Sequence, residues 1–158
     1  MTATDENAKR AERPLTGWRS DVDRVYGYLA GAFALAVVAQ MFLAGVGTFG
    51  DHNRQIADAT SFDPHRTFGA ILGGVAVLLF LVTLAARASK ATIIGAFVLA
   101  LLTQVAQPAF ASAADHGDWV GGLHALDGVF ILLLSIWLAG SAHRRGSSRR
   151  RSSTTSPT

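Results

Sequence analysis

The chain contains no cysteine. That absence removes disulfide frameworks, thiolate metal sites, thiol nucleophiles and covalent attachment of haem through a cysteine pair, so the fold must hold itself together by packing. Charge is scarce as well: charged residues make up 16% of the 158 positions and hydrophobic ones 50%, which is not the composition of a soluble enzyme. No Ser-His-Asp, His-Glu-x-x-His or P-loop spacing occurs in a context that supports hydrolase or nucleotide chemistry. The pI near 10.0 raises the question of nucleic acid. The formal net charge is only +3, however, and the basic residues fall in three clusters between apolar runs, so no nucleic-acid partner is expected. A lipid bilayer explains that spacing.

Four stretches are free or nearly free of charge over the roughly 20 residues that cross a 30 Å hydrocarbon core. They run from Val25 to Phe49, Phe68 to Ala86, Ala91 to Ala114 and Val120 to Ala142. Polar connections join the first pair and the last pair, while Arg87, Ala88, Ser89 and Lys90 make a tight turn between the middle two. The expected fold is all-α, an integral membrane antiparallel four-helix bundle over residues 25–142. Residues 1–24 are mostly polar and precede the first stretch, which therefore reads as a retained span and not a signal peptide. This N-terminal segment and the basic tail at 143–158 lack apolar periodicity and are expected to be disordered. Of the Lys and Arg residues, only Arg54 and Arg66 fall on one side of this topology. The positive-inside rule then puts both termini in the cytoplasm and the protein in the cytoplasmic (plasma) membrane.

A strongly polar side chain in hydrocarbon costs several kcal/mol without a partner, so residues that interrupt apolar runs are where function is sought. Here they are Gln40, His65, Arg66, Gln104, Gln107, His124 and Asp127, all in the outer half of the expected bundle. The inner half lacks the polar lining a transporter or channel needs. His65 and His124 open helices that descend in the same direction, and in an up-down bundle the second and fourth helices are diagonal neighbours. Adjacent helices 8–10 Å apart leave no room for a flat macrocycle between two imidazoles, whereas a diagonal does. The pattern suits one b-type haem with His65 and His124 as axial metal ligands.

Each histidine is followed four residues later by glycine, Gly69 and Gly128, on the helix face where a porphyrin edge would lie against backbone. The same glycines also suit a plain helix-packing seam through Gly69 and Gly73. Arg66 and Asp127 form the candidate second layer: Asp127 as acceptor of the His124 ring N–H, Arg66 as partner of a propionate or of Asp127 itself. A purely structural Arg66–Asp127 salt bridge is the competing assignment. Asp63 is a candidate cap ahead of Pro64. In the third helix Pro108 is expected to kink the chain and crowd the Gln104 carbonyl. Gln104, Gln107 and Gln40 then form a polar patch, either glue between helices or the lining of a haem or quinone pocket. His52 and His116 in the outer loops are possible extra ligands for zinc or copper. The three tryptophans with Tyr26 and Tyr28 are expected to be interfacial anchors.

The segments Gln40-Met41-Phe42-Leu43-Ala44-Gly45, Phe62-Asp63-Pro64-His65-Arg66 with Gly69, Gln104 with Gln107-Pro108, and Leu123-His124-Ala125-Leu126-Asp127-Gly128 resemble a family of uncharacterised four-helix bacterial membrane proteins of unknown function. The resemblance runs from about Val25 to Ala142 and implies no activity. A more distant likeness is to one four-helix half of haem A synthase, which has a His-Arg opening its second helix and a His opening its fourth. That likeness implies axial ligation by His65 and His124. The chain is half the length of such an enzyme, lacks its outer-loop cysteines and has Asp63 where a catalytic glutamate would stand, so haem binding is implied and haem A synthesis is not. Two functions therefore stand: a cytochrome-like protein for electron transfer, redox sensing or haem handling, with a redox partner, or a cofactor-free membrane subunit or assembly factor of a larger complex.

Overall fold

The computed structural model describes residues 3–50, 62–114 and 117–154. They form four helices: α1 (Ala3–Gly50), α2 (Asp63–Ala85), α3 (Lys90–Ala113) and α4 (Asp118–Thr154), with no strand among the described residues. Four stretches are long and apolar enough to cross a membrane: Asp21–Thr48, Asp63–Ala85, Lys90–Ala113 and Trp119–Ala142. These agree with the expected spans to within a few residues. Large apolar side chains such as Leu35, Phe42, Ile71, Leu81, Ile94 and Leu133 face outward. An outer surface of this kind is solvated by lipid and not by water, so the chain is a multi-pass membrane protein. Helical backbone continues beyond the spans to Ala3 and Thr154, through flanks expected to be disordered. Extending an existing helix needs no new nucleus, and the Ala, Glu, Lys and Arg of these flanks are good helix formers.

The inward faces repeat every three or four residues: Tyr26, Ala30, Phe33 and Val37 on α1; Leu72, Ala76, Leu79 and Thr83 on α2; Thr92, Ala96 and Leu99 on α3; Ile131, Ser135 and Leu138 on α4. This spacing keeps one stripe of each helix on the bundle axis. The buried hydroxyls are satisfied within their own helices, Thr83 Oγ1 donating to the Phe80 carbonyl at 2.7 Å and Ser135 Oγ to that of Ile131 at 2.6 Å. Tyr26 is wholly buried and donates to the Leu138 carbonyl at 3.3 Å, so it is a core residue and not the interfacial anchor expected for it. Tyr28, Trp18 and Trp119 are exposed. Each helix packs on two others: α1 and α3 both lie against α2 and α4, while α2 and α4 make no backbone approach among the described residues. The second and fourth helices are thus diagonal, which a ligand shared between them requires.

Two local features place the polar residues. Arg87 adopts φ 47° in the turn between α2 and α3, its N–H reaching the Leu84 carbonyl at 3.0 Å, and the Ser89 side chain then caps α3 by accepting from the Thr92 N–H at 3.2 Å. Further along α3, Pro108 lacks the N–H that would continue the ladder. The helix widens ahead of it into a π turn at Leu102–Ala106, with the Gln107 N–H bonded to the Leu102 carbonyl. The expected disturbance at Pro108 takes this form. One inserted residue rotates the remaining turns of the helix by about 100°, and Gln107 comes to face α4.

Candidate functional site

The core is filled by large side chains at one end, among them Tyr26, Phe33, Leu79 and Leu138. Toward the other end their place is taken by His, Gln and Gly. His65 stands in the first turn of α2, fixed by Pro64 and by the Arg66 N–H bonded to the Phe62 carbonyl at 2.9 Å. Phe62, not Asp63, is the cap residue; Asp63 is already helical and lies 3.9 Å from exposed Arg66. His124 stands in the second turn of α4. Although the backbones of their helices do not approach, the two rings meet across the diagonal with centroids 6.2 Å apart and planes at 73°.

Both imidazoles are held in the same way. His65 Nδ1 donates to the Gln40 backbone carbonyl at 3.2 Å, and the Gln40 amide nitrogen donates back to the His65 carbonyl at 2.9 Å. His124 Nδ1 donates to the Gln107 carbonyl at 3.2 Å, and the Gln107 amide returns to the His124 carbonyl at 3.0 Å. A carbonyl only accepts, so Nδ1 carries the hydrogen in each neutral ring and Nε2 keeps the lone pair. Among the described residues His124 Nε2 has no partner, whereas His65 Nε2 has the Gln40 amide nitrogen 3.5 Å away. The side-chain Oε1 of Gln40 is buried and accepts no hydrogen bond. Phe62 lies edge-on to His65 at 6.3 Å and rests on Gly47, where an added Cβ would stand 2.7 Å from the ring.

The second layer differs from expectation. Asp127 is only 6% exposed, yet it accepts from the Gln107 amide at 3.0 Å and not from the His124 ring, whose N–H is already committed to a backbone carbonyl. Arg66 points outward beside Asp63 and forms no pair with Asp127. The glycine faces meant for a porphyrin edge are met by amides. A Cβ on Gly69 would lie 2.9 Å from Gln40 Nε2, one on Gly73 2.9 Å from Gln104 Oε1, and one on Gly128 3.8 Å from Met41 and 3.9 Å from Gln107. Of the three glutamines expected in one polar patch, Gln40 and Gln107 hold the histidines, and Gln104 lies against Gly73. His52 and His116 lie outside the described residues, among which no group of three metal-ligating side chains occurs.

A zinc, copper or nickel centre of three or four protein ligands therefore has no donors among the described residues. A two-imidazole axial set does. A metal–imidazole bond is about 2.0 Å and the ring centroid lies about 1.1 Å behind the nitrogen, so two trans imidazoles on one ion have centroids about 6 Å apart. The two ring centroids here are 6.2 Å apart.

Fold and site together define a multi-pass α-helical membrane protein with a histidine–glutamine centre at one end of the bundle. Residues 40–114 match the model of a family of unknown function, DUF6220. This agrees with the resemblance to an uncharacterised family of unknown function. The matched segment opens on Gln40, holds His65, Gly69, Gln104 and Gln107, and stops before His124. No curated protein and no solved structure matches the chain, so no comparison supports the likeness to haem A synthase.

Proposed function

We propose that the protein binds one b-type haem between α2 and α4 through His65 and His124, and serves electron transfer, redox sensing or haem handling. The observation that carries this reading is the facing pair of imidazoles, 6.2 Å apart, each with Nδ1 tied to a carbonyl. A haem held by two imidazoles supplies reversible one-electron chemistry with no open coordination position. The chain's own contribution is to present two Nε2 lone pairs, to keep the ring N–H groups satisfied, and to exclude water with Phe62 and the lipid-facing apolar shell. The bundle is antiparallel with both termini in the cytoplasm, supported by the distribution of Lys and Arg. On that orientation the centre lies near the outer face of the plasma membrane, within reach of a redox partner on that side.

The second reading is a cofactor-free subunit or assembly factor in which the same amides and rings knit the helices together. The bonds of the Gln40 and Gln107 amides to the histidine carbonyls favour it, as does the seating of Gln40 and Gln104 on Gly69 and Gly73, since such contacts join helices with no ligand between them. A dithionite-reduced minus oxidised visible spectrum of detergent-purified protein, expressed with ample haem, separates the two. Sharp reduced-haem bands that vanish in both His65→Ala and His124→Ala are expected. A colourless wild type, or variants with unchanged haem content, would remove the haem assignment.

A further inference from the structure

The two histidine contacts are copies of one arrangement. In each, a glutamine near the end of one helix and a histidine near the start of the next exchange a pair of bonds: ring N–H to the glutamine's backbone carbonyl, glutamine side-chain amide to the histidine's backbone carbonyl. The histidine carbonyl at position i already serves the N–H at i+4 within its helix, and position i+4 is Gly69 in one copy and Gly128 in the other. A glycine there leaves the carbonyl open to a second donor. An alanine at 69 would put its Cβ 2.9 Å from the very amide that binds it.

We infer that Gln40…His65-x-x-x-Gly69 and Gln107…His124-x-x-x-Gly128 are two copies of a positioning module: the backbone carbonyls of residues 40 and 107 hold each histidine as its Nδ1–H tautomer, so that Nε2 keeps the lone pair, and the side-chain amides of Gln40 and Gln107 act as positioning groups that clamp the neighbouring helices through the histidine carbonyls. The glycines admit the glutamine amides and are not the bed of a macrocycle. For its consequence this rests on the haem reading; for its test it does not. Free neutral histidine prefers the Nε2–H form, so a protein that holds two histidines in the other form has imposed it. The copies are not equal. The amide of Gln107 is also held by Asp127, whereas Gln40 approaches His65 Nε2 itself and leaves its own oxygen without a donor.

The test is the ring-nitrogen spectrum of the ¹⁵N-histidine-labelled full chain in detergent without added haem, at alkaline pH so that the rings are neutral. Resonances are assigned from the His65→Ala and His124→Ala spectra. Both sites are expected as Nδ1–H tautomers in the wild type, which requires no substitution to hold. In Gln40→Glu the amide nitrogen that lies 3.5 Å from His65 Nε2 is replaced by a carboxylate oxygen that can only accept, so His65 shifts toward the Nε2–H form and His124 does not. Gly69→Ala disturbs His65, while Gly128→Ala, whose Cβ meets nothing closer than 3.8 Å, leaves His124 as it was. An Nε2–H tautomer at either site in the wild type, an unmoved His65 in Gln40→Glu, or equal responses to the two glycine substitutions would overturn the inference. A colourless protein with both tautomers as expected removes the haem reading alone; a bis-histidine haem spectrum with the wrong tautomers removes this one alone.

Discussion

Gln107 carries the most weight of any side chain in the site, and its replacement by leucine gives a number that can be worked from the structure. The amide nitrogen makes two bonds of 3.0 Å, one to the Asp127 carboxylate and one to the His124 carbonyl. A hydrogen bond to a charged group contributes about 1.5–3 kcal/mol, while bonds between transmembrane helices average about 0.6 kcal/mol. Gln107→Leu removes both and leaves a carboxylate that is 6% exposed without its donor, so a loss of about 2–4 kcal/mol is expected. Asp127→Leu alone keeps the bond to His124 and removes the buried charge, so it costs much less. In the double variant nothing charged is stranded, and the cycle should return a coupling of about 2 kcal/mol. Unfolding titrations in mixed micelles, followed by tryptophan fluorescence, measure all four proteins. Additivity to within about 0.5 kcal/mol would show that Gln107 and Asp127 do not act on each other, and the reasoning about the buried carboxylate would fall.

Three other outcomes are expected. Gly95→Ala forces a Cβ to within 2.7 Å of the Trp137 ring and should destabilise by about 1–3 kcal/mol, whereas Gly31→Ala, with nothing within 4 Å, should stabilise by about 0.5–1 kcal/mol in the same unfolding assay. Arg66→Gln should leave haem content and the unfolding midpoint unchanged, because Arg66 is exposed and its contact with Asp63 is long; loss of haem in this variant would assign it a direct role. In the oxidised haem-loaded protein the imidazole planes, 73° apart, should give the strongly anisotropic low-spin resonance of near-perpendicular ligands, and a spectrum typical of parallel planes would mean that the rings turn on binding.

The spans, the tight turn at Arg87 and the disturbance at Pro108 were legible because each follows from a local rule: hydrophobic length, turn chemistry, a missing N–H. The diagonal placement of His65 and His124 followed from helix order. The partners of the polar side chains did not. Asp127 shares a helix face with His124, which suggested a direct bond, but the ring N–H is claimed by a backbone carbonyl that carries no sequence signal. Gln40 and Gln107 were visible as polar residues in apolar runs, yet the spacing to their histidines differs, 25 residues in one copy and 17 in the other, because the connecting segments differ in length. A repeat search at fixed period passes over such a pair. The signal that finds it is the combination of His-x-x-x-Gly with a glutamine near the end of the preceding helix.

That combination also explains how two rings meet on helices whose backbones do not. Each histidine takes its position from the helix beside it, His65 from α1 and His124 from α3, so the gap between them is set by all four helices and not by any backbone approach of α2 to α4. Neutral amides suit this work in hydrocarbon, where a charged partner is far more expensive to bury. Asp127 is the buried acid of the site and stands behind Gln107 on the His124 side, while exposed Arg66 adjoins His65; three residues after His65 the position corresponding to Asp127 is Phe68. The two halves therefore present the same nitrogen by the same bonds, but only the His124 half is backed by a carboxylate. A ligand shared between the rings would sit in an electrostatically lopsided site, more negative on the α4 side, and Asp127→Asn is the substitution that would level it.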